Sequence, residues 1–285
     1  MQTQTAPTFL RAHEIAMAST TARRPPDLGP LEALLRGRQA TAQELVRAVD
    51  GHPGLRARMV RLARSQPFGA TGRISMRAAA EFLGLTLFRQ LALTSVLHEH
   101  AEEVAPRLSL AEAKLLSDSI RVAVIARSLA LETRLADPNT AFAAGLIHDI
   151  GRLQLLHALG TPYALYIFEE PSPADELRDE VAMAGTHHQE VGSFTCHDWG
   201  VPAQLARVVE DHHDGATEAL STLVWTGARL LRASHREAPE ALEAGEAAER
   251  ALAHLGIGPE RWRRLHELAH GQCADIFLRF GSLTT

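Results

Sequence analysis

Cysteine is nearly absent from the chain: the 285 residues hold two, Cys196 and Cys273. Two isolated thiols make no disulfide framework, so a reducing compartment fits and a cytoplasmic location is expected. Neither lies in a Cys-x-x-Cys pair, which argues against redox or zinc-thiolate chemistry. Aromatic residues are sparse as well, at 5%. No segment alternates apolar and polar residues between hairpin turns, so a sheet protein is not expected. Long apolar runs are missing too: none approaches the roughly 20 residues that cross a bilayer. The first twenty residues, MQTQTAPTFLRAHEIAMAST, contain no extended apolar stretch of the secretory type. Nor is there an excess of positive charge. The net charge of −5 weighs against a general nucleic-acid binder and leaves only local basic patches as candidates.

What is present favours helices. Ala, Leu, Arg and Glu dominate a chain that is 46% hydrophobic and 22% charged, and these side chains lose little rotamer freedom in a helix. The length suffices for a substantial core in one large domain or two smaller ones. Helical patterning fills nearly everything after Pro30, with no internal repeat. Thr41-Ala-Gln-Glu44 reads as a capping box ahead of Leu45, Val46 and Val49. Ser75 is placed to cap MRAAAEFLG, which Gly84 closes. LTLFRQLALTSVLHEHAEEV reads as a longer helix stopped by Pro106, and Ser109-Leu-Ala-Glu112 as a second capping box. AFAAGLIHDIGRLQLLHALG is expected as one helix, with Leu146, Ile150 and Leu153 on a shared face and Gly145 and Gly151 allowing neighbours to come close. Trp199-Gly-Val-Pro202 reads as a packed corner, with the proline in the first turn of the helix AQLARVVEDHH.

The chemistry-bearing residues concentrate in the second half. His148 and Asp149 stand side by side in an apolar segment, where polar groups are costly unless something pairs with them. A second pair, His212-His213, follows in VVEDHHDG, and His188 begins HQEVG. Imidazole and carboxylate donors of this kind suit a divalent ion such as Mn, Fe, Zn or Mg, and a bound metal would activate water against a phosphoester. The competing reading is a hydrogen-bonded polar core with imidazoles paired to carboxylates and carbonyls. His187 adjoins His188, and two neighbouring helical residues do not both face one site. Two basic clusters, Arg56, Arg58, Arg61 and Arg64 on one helix and Arg261, Arg263 and Arg264 around Trp262, read first as solvated faces.

Taken in order, these segments resemble the bacterial HDOD domain, a relative of the HD-domain phosphohydrolases. The resemblance spans approximately residues 25 to 230. It rests on HPGLRARMVRLARS, FGATGRISM and AAEFLGLTLFRQLAL, then on AFAAGLIHDIGRL, HQEVGSFTCHDWGVP and VVEDHH. Family members usually carry Asp-Pro where this chain has His52-Pro53, and Asn-Ser where it has Arg64-Ser65. The resemblance implies an all-α, two-lobed helical fold. The chain is expected to divide into a flexible tail over 1–24, read from its polarity and from TARRPPD and with room for one short helix, an N-terminal lobe over 25–106, an HD-like lobe over 107–230 and a C-terminal helical extension over 231–285 packed on that lobe.

It also implies a candidate metal set of His148, Asp149, His188, His212, His213 and Asp118. Two positions depart from the enzyme pattern. Asp118 stands where an early histidine ligand is usual, and Ala228, which cannot ligate, where a late aspartate is usual. The Gly-Tyr-Pro signature of the cyclic-di-GMP phosphodiesterase branch is absent after HHDG. The function implied is a non-catalytic signal-transduction module that binds a partner protein or a small ligand, a nucleotide among the possibilities, and no membrane. The alternative is a metal-dependent phosphohydrolase acting on a nucleotide or cyclic dinucleotide. A weaker alternative is a DNA-associated regulator using the arginine helix.

Overall fold

The computed structural model describes residues 6–21, 31, 34, 41–99, 106–214, 218–235 and 240–280, and among these every regular element is a helix. The first half contributes α1 (Ala6–Thr21), α2 (Ala42–Asp50), α3 (Pro53–Ala63), α4 (Met76–Leu83) and α5 (Leu85–Glu99). The long α6 (Pro106–Thr133) follows. Then come α7 (Pro138–Ile147), α8 (Ile150–Leu159), α9 (Thr161–Glu169), α10 (Pro173–Ala184), α11 (His188–Asp198) and α12 (Ala203–Asp211). The last three are α13 (Ala219–His235), α14 (Glu240–His254) and α15 (Pro259–Phe280). No helix among the described residues is long and apolar enough to cross a membrane.

Local signals account for several boundaries. The Thr41 hydroxyl accepts from the Glu44 amide while the Glu44 carboxylate accepts from the Thr41 amide at 2.8 Å, so the expected capping box is formed. Thr41→Ala removes one half of that exchange. It should cost about 1 kcal/mol in a urea titration, and an unchanged midpoint would show that α2 is held by packing alone. Ser75 caps α4 through the Ala78 amide. Gly84 ends that helix at φ +76°, a region that a side chain would make costly.

Three expectations need correction. Residues 6–21, expected as a loose tail with at most one short helix, form α1 throughout and dock on the body: Ala12, Ile15 and Ala16 are buried with Leu155, Tyr163 and Val191 of α8, α9 and α11. Burial of one small-residue stripe stabilises the helix where its own propensity would leave it marginal. Residues 1–5 and 22–24 of that expected tail lie outside the described residues. Second, Ser109 does not open a helix. Pro106 does, since a proline in the first turn sacrifices no intrahelical bond, and Glu112 instead meets His157 Nε2 at 2.5 Å. Pro106 thus lies in the first turn of α6, while the expected stop of α5 falls at residues 100–105, outside the described residues, the described part of α5 ending at Glu99.

The third correction falls on the His-Asp pair. One helix was expected through it, yet α7 ends at Ile147 and α8 begins at Ile150. His148 Nδ1 bonds the Gly145 carbonyl at 2.8 Å, and a side chain that takes a carbonyl competes with the helical amide for it. Asp149 adopts φ −100°, ψ 20°, and its own carbonyl accepts from the Arg152 amide to begin the next helix.

One continuous apolar cluster joins α2–α5, α6–α8, α13 and α15. The C-terminal helix α15 packs on α6 and on α3, and just beyond α3 Asp275 accepts from the Gln66 amide at 2.7 Å. Trp199 is buried at the end of α11, and its carbonyl accepts from Arg89 of α5. Both cysteines are free thiols, and burial pushes Cys196 up to about 12 and Cys273 up to about 11.

Candidate metal centre

Three separate helix ends carry four candidate side chains to one point. Asp149 sits at the start of α8 without capping it; its carboxylate faces histidines instead. His188 is the first residue of α11, and His212 and His213 follow the end of α12. One ligand atom from each of Asp149, His188, His212 and His213 lies within 4.8 Å of all the others. His212 Nε2 is 3.1 Å from Asp149 Oδ1, and His188 Nε2 is 3.7 Å from the same oxygen. His188 Nε2 stands 3.3 Å from His212 Nε2 and 3.1 Å from His213 Nε2. Two ligands about 2.0–2.1 Å from one ion, at angles between octahedral and tetrahedral, are separated by about 3.0–3.4 Å.

The far sides of the rings explain why the near sides converge. His148 Nδ1 donates to the Gly145 carbonyl, and His212 Nδ1 donates to the Val209 carbonyl at 3.1 Å. Both are bonds to a residue three positions back at a helix end, so one local device aims both rings. His188 Nδ1 donates to Glu180 Oε2 at 2.7 Å, and that oxygen also accepts the His188 amide at 2.8 Å. A carbonyl or carboxylate can only accept, so in the neutral ring Nδ1 carries the hydrogen and Nε2 presents a lone pair. In that state His188 and His212 direct lone pairs at each other across 3.3 Å, an arrangement a cation between them relieves. The donor set therefore fits a divalent metal.

The electrostatics agree. Burial pushes His148 down to about 4, leaving the ring neutral near pH 7. Burial also lowers His213, and the adjoining imidazoles add to the effect. It works against a charged Asp149, but His148, His212 and Arg152 hold that carboxyl well below the usual range. His188 is raised: burial opposes its charging, and Glu180 and Asp149 outweigh that. Protons thus compete with a metal at His188, so metal should be displaced in acid.

The six expected residues do not all meet. His148 adjoins the cluster, with Nε2 3.4 Å from Asp149 Oδ2, but stands outside the set of four. Asp118 lines the same pocket yet is taken by Lys114, whose Nζ lies 3.1 Å from Asp118 and 2.7 Å from Glu170. Ala228 also lines the pocket and offers only a methyl group. Of the adjacent pair, His188 faces the cluster, whereas His187 turns to Glu190 and is lowered chiefly by burial.

Other partners carried no sequence motif. Glu180 and Glu176 share one face of α10, both fully buried. Tyr163 donates to Glu180 Oε1 at 2.5 Å, and Arg152 and Arg232 both meet Glu176. The four-residue spacing of two glutamates on a helix was a signal for a shared face, but not for a buried one.

Residues 28–215 match the HDOD domain family. This chain belongs to the HDOD family. Solved structures with the same fold include a protein from Shewanella amazonensis SB2B provisionally named a metal-dependent phosphohydrolase. It is 16% identical, covers 94% of this chain and 100% of its own, and gives a TM-score of 0.63. An HDOD domain protein of unknown function from Geobacter sulfurreducens is 21% identical over 95% of this chain and 98% of its own, with a TM-score of 0.56. A protein from Marinobacter aquaeolei VT8, provisionally named for signal transduction, is 18% identical over 98% of this chain and 67% of its own, with a TM-score of 0.58. No curated protein matched. The HDOD match ends before α13, so Ala228 and the pocket wall it belongs to lie outside the matched residues.

Proposed function

We propose that this HDOD protein is a signal-transduction module that holds one divalent metal ion in its His–Asp pocket and reports the ligand state of that pocket to a partner protein, without hydrolysis. The observation that carries the metal reading is the convergence of three Nε2 atoms on Asp149, with the His188 and His212 rings fixed from behind. Three imidazoles and one carboxylate suit Mn, Fe or Zn better than Mg, which prefers oxygen donors. Two further observations support the absence of turnover. Ala228 supplies no ligand, and Asp118 is engaged by Lys114. Completing a catalytic centre requires a full ligand set and an open position for water. The signalling role draws on the Marinobacter protein's name and on family membership.

Protein purified without chelator and loaded with Mn2+ or Zn2+ should hold one ion per chain by elemental analysis, and Asp149→Ala should hold none. A panel of phosphoesters should show no turnover. A second reading, a metal-dependent phosphohydrolase, is favoured by the opening of the cluster into a pocket and by the name of the Shewanella protein. Hydrolysis that Asp149→Ala abolishes would establish it in place of the first.

A further inference from the structure

The pocket in front of the His–Asp cluster pairs its charges almost completely. Arg152 and Arg232 share Glu176, Lys114 is held by Asp118 and Glu170, and Asp149 faces the imidazoles. Arg229 is left over. It is half-buried in the wall, its guanidinium lies 5.3 Å from the centre of the Trp225 ring, and no carboxylate pairs with it among the described residues. Burial works against its charge, and the neighbouring Arg232 adds to that, so the guanidinium stands where an anion would relieve both penalties. Ala228 precedes it on α13, and a methyl group there keeps a carboxylate out of this wall.

We propose that this pocket is a receptor for a phosphoryl dianion, with Arg229 as its recognition side chain. The proposal rests on the metal reading above for the second positive charge facing the ligand. A guanidinium fork matches phosphoryl oxygens two at a time, and its ring support at Trp225 fixes it beforehand. The cavity, about 80 Å³, is far smaller than the roughly 300–1,000 Å³ of pockets that enclose a drug-sized molecule. It therefore takes the phosphoryl group itself, and any ester must extend through the mouth.

Isothermal titration of the Mn2+-loaded protein with inorganic phosphate should give a saturable one-site isotherm. Arg229→Gln should weaken it about tenfold or more, since a charge-assisted hydrogen bond contributes on that scale. Arg229→Lys should restore part of the loss, and circular dichroism melts confirm that both variants are folded. AMP as a second titrant separates the two sources: tighter AMP, lost in Arg229→Gln, assigns a phosphomonoester, and equal or tighter phosphate assigns the free anion. Heat from neither titrant, or wild-type affinity in Arg229→Gln, overturns the proposal. Failure of Mn2+ to load defeats the metal reading instead. In that case, phosphate binding to the metal-free chain that Arg229→Gln removes still supports the receptor, and its absence overturns it.

Discussion

Gly151→Ala should destabilise the fold by about 3 kcal/mol or more and abolish metal binding along with it, the largest effect expected of any single methyl group in this protein. A Cβ on Gly151 would lie 1.9 Å from the His188 carbonyl oxygen and 2.8 Å from the Gly192 amide nitrogen. Both are backbone atoms, so no rotamer change relieves the overlap, and α8 and α11 must separate. That separation is also the one between Asp149 and His188, which stand two residues from Gly151 and at the point of overlap. A few kilocalories is a large part of the 5–15 kcal/mol by which a domain is stable. Gly245→Ala is the control. That glycine lies inside α14 with nothing within 4 Å of the added carbon, so the same substitution should stabilise by about 0.5–1 kcal/mol. Urea denaturation of both variants checks the pair of signs. Equal midpoints would refute the close approach of α8 and α11.

The second large effect is expected at Glu180, which touches no metal donor atom directly. Glu180→Gln should lower Mn2+ or Zn2+ affinity by roughly 10–100-fold, measured by competition with a chelating dye, while the stoichiometry stays at one. The carboxylate is fully buried and uses both oxygens: one accepts from Tyr163, the other from the amide and Nδ1 of His188. A neutral amide can keep the His188 bonds through its oxygen while its NH2 donates to the Tyr163 hydroxyl, but the charge that strengthens the Nδ1 hydrogen bond is gone. His188 keeps its place and loses basicity toward the ion. A merely structural role for Glu180 would shift the melting temperature and leave the affinity of the folded fraction unchanged. The metal titration separates these outcomes.

How far these residues were legible in advance follows the range of the forces that place them. The Thr41 capping box, the Ser75 cap and the Gly84 turn depend on atoms three or four positions apart, and each stands where the local pattern placed it. The interruption at His148-Asp149 did not follow from periodicity, because Leu146, Ile150 and Leu153 keep a helical spacing across it and all three are buried. The break comes from one ring nitrogen competing for the Gly145 carbonyl. The false capping box at Ser109 shows the opposite failure. Its sequence was right for a helix start, but Pro106 began the helix a turn earlier and a distant His157 took the glutamate.

Composition, local spacing and adjacency are properties of the chain alone, and they suffice for a helical protein, for several of its caps, and for His148-Asp149, His188 and His212-His213 as the groups to watch. Which of these groups meet is set by tertiary packing. It turned His188 inward and His187 aside, drew Asp118 to Lys114 and, among the described residues, left Arg229 without a carboxylate beside Trp225. The physical reason is that helical periodicity assigns a residue to a face of its own helix but carries no information about what packs there. At this site the answer came from Gly151, whose missing side chain lets α11 approach close enough to bring His188 to Asp149.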